Sequence, residues 1–129
     1  MGSNEIRSYR DLKVWQDAMD LAERCYLLTK TFPREETYGM SSQIRRSAVS
    51  VAANIAEGYG RDSAGHYVTF LRHSQGSLKE LETHLLLCSR VGLASQSATA
   101  SLLDTSDAIG RMLRSLIRTL DGQQAGGKS

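Results

Sequence analysis

The chain has 129 residues, enough for one domain with a buried core, and 16 Lys and Arg against 14 Asp and Glu leave a net charge of only +2. That balance excludes a uniformly basic surface, so any polyanion binding must come from where the charges are placed. No apolar run approaches the ~20 residues of a membrane span, the start lacks a basic-then-apolar leader, and Gly2 is followed by Ile6 where a myristoylation motif needs Ser or Thr. The cytoplasm is the expected location.

Residues 1–10 are polar and read as a flexible N-terminus, with the folded unit spanning 11–121 and a flexible tail over 122–129. A first helix is predicted over 11–31. Leu12, Trp15, Met19, Ala22 and Tyr26 recur at three and four, as do Val14, Ala18, Leu21, Cys25, Leu28 and Phe32. Two adjacent stripes make a face wide enough for a bundle interior. Phe32-Pro33 ends this helix, because the residue before proline avoids helical geometry.

A second helix is predicted over 41–58, with Ser41 or Ser42 as its cap and Gly58 and Gly60 ending it through left-handed backbone geometry. Ile44, Ala48, Val51 and Ile55 form its apolar stripe, and its small side chains invite close approach. The third helix, 63–91, is capped by Asp62 or Ser63 and stopped at Gly92. It carries Tyr67, Leu71, Ser74, Leu78, Leu81, Leu85 and Cys88 on one face. Leu85-Leu86-Leu87-Cys88 is apolar nearly all round, which one core cannot bury, so a second contact surface is expected. Gly76 in mid-helix costs about 1 kcal/mol relative to alanine, and close helix packing is the expected reason.

The fourth helix, 96–120, opens at Ser95 or Ser97 and stops at Gly122. Leu102, Ile109, Leu113, Leu116 and Leu120 face inward, and Asp104, Asp107, Arg111, Arg114 and Arg118 face outward. Asp107 and Arg111 are a favourable i,i+4 pair, so that face reads as solvated and self-paired. Nothing alternates like a strand. Four amphipathic helices with short links predict an all-α, antiparallel up-down-up-down four-helix bundle.

In that topology the ends of the first and third helices meet the starts of the second and fourth. One pole then collects Lys30, Arg34, Arg45, Arg46 and Arg90 against Glu35 and Glu36, a candidate RNA- or DNA-binding surface. The alternative is that Arg45 and Arg46 pair with Glu35, Glu36 or a neighbouring subunit's acids. Gln43, Ser47, Ser50, Asn54 and Glu57 form a polar stripe on the second helix. These short, mostly neutral groups, where Lys and Glu would be usual, suggest an oligomer interface.

Other chemistry is thinly signalled. His66, His73, Ser77, Glu80 and His84 share one side of the third helix, but the Glu-x-x-His repeats of di-iron bundles are missing. The expected state is a solvent-facing stripe with an internal Glu80–His84 pair, no metal and no cofactor. No Gly-x-Ser-x-Gly turn or phosphate loop is present, so no catalytic residue is assigned and the chain reads as non-enzymatic. Cys25 and Cys88 fall in apolar stripes and read as buried free thiols. Trp15 reads as core, and Tyr59 as the better base-stacking candidate.

The ordered motifs resemble the four-helix-bundle family encoded in 23S rRNA intervening sequences. They are Asp11-Leu12-Lys13-Val14-Trp15-Gln16; Phe32-Pro33-x-x-Glu36-x-Tyr38-Gly39; Gln43-Ile44-Arg45-Arg46-Ser47-Ala48-Val49-Ser50; Asn54-Ile55-Ala56-Glu57-Gly58; and Gly76-Ser77-Leu78-x-Glu80-Leu81-Glu82. Relatives of that family include the accessory variability determinant proteins of diversity-generating retroelements. The resemblance implies a bacterial cytoplasmic protein, a homopentamer with a central pore, and nucleic acid as the usual proposed ligand. Five poles pointing one way would present about +15 to a phosphate backbone. One departure is Val51-Ala52-Ala53, where the family often has a proline, so a kink there should be weak or absent. A protein partner on the apolar second surface is the alternative reading.

Overall fold

A computed structural model describes residues 5–126 of the chain. Four α-helices account for most of it: α1 (Lys13–Thr29), α2 (Met40–Tyr59), α3 (Ala64–Arg90) and α4 (Gln96–Gly126). Short 3-10 turns at Tyr9–Asp11 and Arg34–Glu36 precede α1 and α2. The helices pack as a ring in which α1 meets α2, α2 meets α3, α3 meets α4, and α4 returns to α1, with no close backbone approach across the diagonals among the described residues. No strand occurs among the described residues, and no helix is long and apolar enough to cross a membrane. This is the all-α four-helix bundle that the periodicity predicts.

Of the two stripes on α1, the one through Val14, Ala18, Leu21 and Cys25 is the core, joined by Ala22. Met19 and Tyr26 stay exposed, and Trp15 is half-buried with its ring edge-on to Tyr9 at 5.2 Å. Ile44, Val51, Ile55, Leu71, Leu78, Leu81, Leu85, Ile109 and Leu113 complete the interior. At about 1.5–3 kcal/mol for each fully buried aliphatic side chain, this interior is the main source of stability.

The helix ends depart from expectation in several places. Residue 10 does not bound a loose segment: Asp11 accepts the backbone N–H groups of Arg7 and Ser8 at 2.9 and 3.1 Å, fastening the turn. Neither Ser41 nor Ser42 caps α2. The helix starts at Met40, whose N–H donates to Glu36 Oε1 at 3.3 Å, so the acid of the preceding turn does the capping. Nor does Gly122 stop α4, which continues to Gly126; a lone helical glycine costs about 1 kcal/mol, and Gln123, Gln124 and Ala125 favour continuing. Residues 1–4 and 127–129 of the expected flexible ends lie outside the described residues.

The starts of α3 and α4 and the end of α3 behave as predicted. Ser63 accepts the His66 N–H, and Ser95 accepts the Ala98 N–H, each at 3.1 Å. After α3, Gly92 adopts φ +81, the Leu93 N–H donates to Cys88 O at 2.9 Å and the Gly92 N–H to Ser89 O at 3.3 Å. That pair of bonds is a Schellman motif, which needs the left-handed residue that glycine supplies. α2 runs unbroken through Val51-Ala52-Ala53.

Gly58 and Gly60 do not end α2 by left-handed geometry, since Gly92 alone has positive φ among the described residues. Gly58 lies inside the helix because α3 passes so close. A Cβ there would come within 2.9 Å of Phe70 Cβ, 3.0 Å of Tyr67 Cδ1 and 3.2 Å of Tyr67 O. Gly76 is the reverse, for a Cβ on it would meet nothing within 4 Å. Close packing inside the chain therefore does not explain Gly76.

Candidate nucleic-acid interface

The charges are nearly balanced in number, and four of the acids gather on one side. Asp17, Asp20, Glu23 and Asp104 line a groove between α1 and α4, with Arg24 held among them by Ser101 Oγ at 2.7 Å and Thr105 Oγ1 at 2.8 Å. Collecting acids on that side leaves the remaining sides relatively basic.

The five cations of the expected pole are divided by the structure. Arg45 and Arg46 line one hollow of about 620 Å³ between α1 and α2, together with Tyr26, Thr37, Tyr38 and Ser42. Lys30, Arg34 and Arg90 stand exposed on the neighbouring helix ends, do not line it, and have no side-chain ion pair among the described residues. Glu36, beside Arg34, lies close enough to Cys88 to help raise its pKa, which places this turn near the end of α3.

Consecutive helical positions point about 100° apart, so Arg45 and Arg46 reach different neighbours. Arg45 turns to α1, where its Nε–H donates to Thr29 Oγ1 at 2.8 Å and its guanidinium sits 4.5 Å from the centre of the Tyr26 ring. Thr29 is itself buried, so Arg45 is braced at its base. Arg46 turns to α3, donating to Gln43 Oε1 at 2.7 Å and lying 3.6 Å from Glu80 Oε2. Neither arginine pairs with Glu35 or Glu36. The Arg46–Glu80 pair is exposed, and such pairs contribute only about 0–1 kcal/mol, so a phosphate can displace it.

The aromatic component was not legible from the motifs. Tyr38 is 94% exposed, on the loop between the turn at Arg34–Glu36 and α2. Tyr26, counted above as part of an apolar stripe, has its ring in the hollow instead. Tyr59, the expected stacking residue, is half-buried edge-on against Tyr67 at 6.1 Å, and burial followed by Tyr59 itself pushes the Tyr67 hydroxyl above its ordinary pKa. The usable signal was Tyr38 itself, an aromatic side chain in a link too short to bury it.

The polar stripe of α2 makes its bonds within the chain. Ser47 is buried and donates to Gln43 O at 2.8 Å. Ser50 Oγ meets Ser77 Oγ of α3 at 2.8 Å, and Asn54 Nδ2 donates to Ser50 O at 2.9 Å. Glu57 pairs with Arg61 at 2.7 Å, and Gln43 holds Arg46. Of the five, Gln43 and Asn54 are half-buried and Glu57 is exposed at the far end of α2.

On α3, Ser77 is taken by Ser50, His73 packs edge-on to Phe70 at 5.6 Å, and His66 is exposed. His84 Nε2 lies 3.5 Å from Glu80 Oε2, within ion-pair range but without hydrogen-bond geometry. No group of three or more His, Cys, Asp or Glu placed to hold a metal occurs among the described residues. Cys25 and Cys88 are both free and buried, as expected. Burial, slightly opposed by Arg24, pushes Cys25 up to about 12; burial and then the Glu36 carboxylate push Cys88 up to about 11.

The class defined so far is a four-helix bundle with an acidic groove between α1 and α4 and an Arg–Tyr hollow near one pole. Comparison with known families gives it a place: residues 10–115 match the model of the 23S rRNA-intervening sequence protein, and the chain belongs to that family. A crystal structure of a protein of unknown function from the S23 ribosomal protein family of Bacteroides thetaiotaomicron VPI-5482 is similar. It has a TM-score of 0.73 and 26% identity, over 81% of this chain and 97% of that one. No curated protein matches.

Proposed function

We propose that this protein is a non-enzymatic, cytoplasmic, homo-oligomeric bundle that binds single-stranded nucleic acid at the pole carrying Arg45 and Arg46. One observation carries the reading: both arginines share a hollow with Tyr26 and Tyr38, and no acid lines it. Cations that track phosphates beside aromatic faces that stack bases are what sequence-tolerant single-strand binding requires. Lys30, Arg34 and Arg90 extend the positive field, and a pentamer, the assembly that the family resemblance implies, would repeat it around a ring. The sequence resemblance, which implies kinship with the accessory variability determinant proteins that assist a reverse transcriptase and its RNA, favours the same choice of ligand.

Anisotropy of a labelled oligonucleotide at two salt concentrations tests this. The expected result is binding that weakens with salt, is lost in Arg45→Glu plus Arg46→Glu, and falls by about 1–3 kcal/mol in Tyr38→Ala. Absence of binding at low salt sinks the proposal. Assembly is tested separately, and a monomer in sedimentation at micromolar concentration removes both the pentamer and an inter-subunit role for the α2 stripe.

A second reading rests on a different observation. Leu86 and Leu87, the unburied remainder of the all-round apolar stretch of α3, are 52% and 45% exposed, and Val91 just past the helix end is 60% exposed. They suit a protein partner, making the chain a structural adaptor. A specific co-purifying protein lost in Leu87→Glu would favour this reading over the first.

A further inference from the structure

We propose that the groove between α3 and α4 is a second binding track, one that takes the phosphodiester backbone of a nucleic-acid strand. This rests on the nucleic-acid reading above but uses a different surface, nearer the opposite end of the bundle. Two hollows of about 410 and 320 Å³ share Arg72, Gln75 and Arg114 and so form one continuous groove. Its rim carries Arg72 and Lys79 from α3 and Arg114 and Arg118 from α4, and Asp121 is the one acid that lines it.

The pairing on this rim is incomplete. Lys79 is bound to Glu82 at 3.1 Å and Arg72 lies 3.6 Å from Asp121, while Arg111, beside the rim, is bound to Asp107. Arg114 and Arg118 have no ion pair or side-chain hydrogen bond among the described residues. The expectation of a self-paired α4 face therefore holds at Asp107–Arg111 and not one turn further on. Arg72 to Lys79, and Arg114 to Asp121, each cover about 10 Å of helix along the groove. That is long for one phosphate and suits several in a row, each open to the forked donors of a guanidinium.

Gly76 and Gly110 line the groove beside Leu78 and Ile117. A Cβ on Gly76 would meet nothing within 4 Å, so packing within the chain does not ask for this glycine, although it weakens the helix. A Cβ on Gly110 would lie 3.6 Å from Leu78 Cδ2 and 3.8 Å from Arg114 Nη1, so the Arg114 guanidinium rests over Gly110 at the floor. Gly76 leaves the α3 side of the groove open to close approach by a strand, and Gly110 gives the Arg114 guanidinium room to lie along the α4 side. The acids of a second copy are the weaker occupant. Asp20, Glu23 and Asp104 sit beside Arg24, Ser101 and Thr105, toward the other end of α4 from Arg114 and Arg118. Copies with aligned axes would not bring those two grooves into register.

The test is anisotropy of a labelled oligouridylate over a salt series, with sedimentation of each variant. Arg114→Gln plus Arg118→Gln is expected to weaken binding and to reduce the slope of log affinity against log salt by about 1.4, the loss of two single-strand phosphate contacts. Gly76→Glu should weaken binding with no fall in Tm. Ala53→Glu, the same change of charge on the exposed side of α2, should have the smaller effect. If the wild type binds and neither groove variant changes its slope, the groove proposal fails and the pole stands. If the wild type does not bind, both fail. If the arginine variant changes sedimentation and leaves binding intact, the groove meets another protein copy and the proposal is overturned.

Discussion

α3 shows one face to α2 and another to α4, and the two interfaces use small residues in opposite ways. Toward α2, Gly58 is required because Phe70 and Tyr67 occupy the space a side chain would need. Serines finish the contact there: Ser74 Oγ donates to Val51 O at 2.8 Å, and Ser50 meets Ser77. Toward α4, Gly76 has nothing near it and Gly110 has only ordinary contacts, while cations stand along the edges. A small residue under close contact serves the fold. One in open space, beside unpaired arginines, is free to serve something else.

Substitutions can break this contrast, beginning with the largest expected effect. Gly58→Ala should lower stability by about 1–3 kcal/mol despite better helix propensity, because the backbone oxygen of Tyr67 is among the groups in the way. Chemical denaturation measures it, and an unchanged midpoint would mean that α2 and α3 stand further apart. Ser74→Ala should cost about 1 kcal/mol, the net worth of a buried hydrogen bond. Gly76→Ala has the opposite sign: thermal unfolding should show a gain of up to about 1 kcal/mol. A loss there would mean that the site is packed after all.

A smaller effect concerns pH. The raised thiol pKa values of Cys25 and Cys88 mean that the unfolded chain gives up these protons first. Their contribution is complete below an ordinary thiol pKa of about 9 and is lost as pH rises toward about 12 for Cys25 and about 11 for Cys88. Stability should therefore fall above pH 9, and Cys25→Ala plus Cys88→Ala should flatten that fall in unfolding curves taken across alkaline pH. Native thiols should also react slowly with Ellman reagent.

The division between the two interfaces was only partly legible in the sequence. Three-four periodicity gives the helices and most of the core, because burial of one face is written in residue type. Between two candidate stripes on α1 it could not choose, since Met19 and Tyr26 are apolar enough to be inside. The polar stripe of α2 looked like an outward face, but side-chain type does not say whether Ser50 finds its partner in its own chain or another. Gly58 and Gly76 look alike in sequence, and only the neighbouring backbone separates them. Arg114 and Arg118 were masked in the same manner by the Asp107–Arg111 pair one turn away. The pole was inferable from topology; the hollow was not, since it depends on how Tyr26, Tyr38 and Arg45 turn relative to one another.

Glycine amides are well dispersed in a two-dimensional nitrogen–proton NMR spectrum, so they report on these surfaces separately. Titrating the protein with a short oligouridylate at low salt is the most direct test of nucleic-acid binding by pole and groove. Binding at both surfaces requires that the amides of Tyr38, Arg45, Arg46, Gly76 and Gly110 shift together and return when salt is added, while Gly58 stays still. Shifts confined to the acidic α1/α4 groove, or no shifts at all, would contradict it.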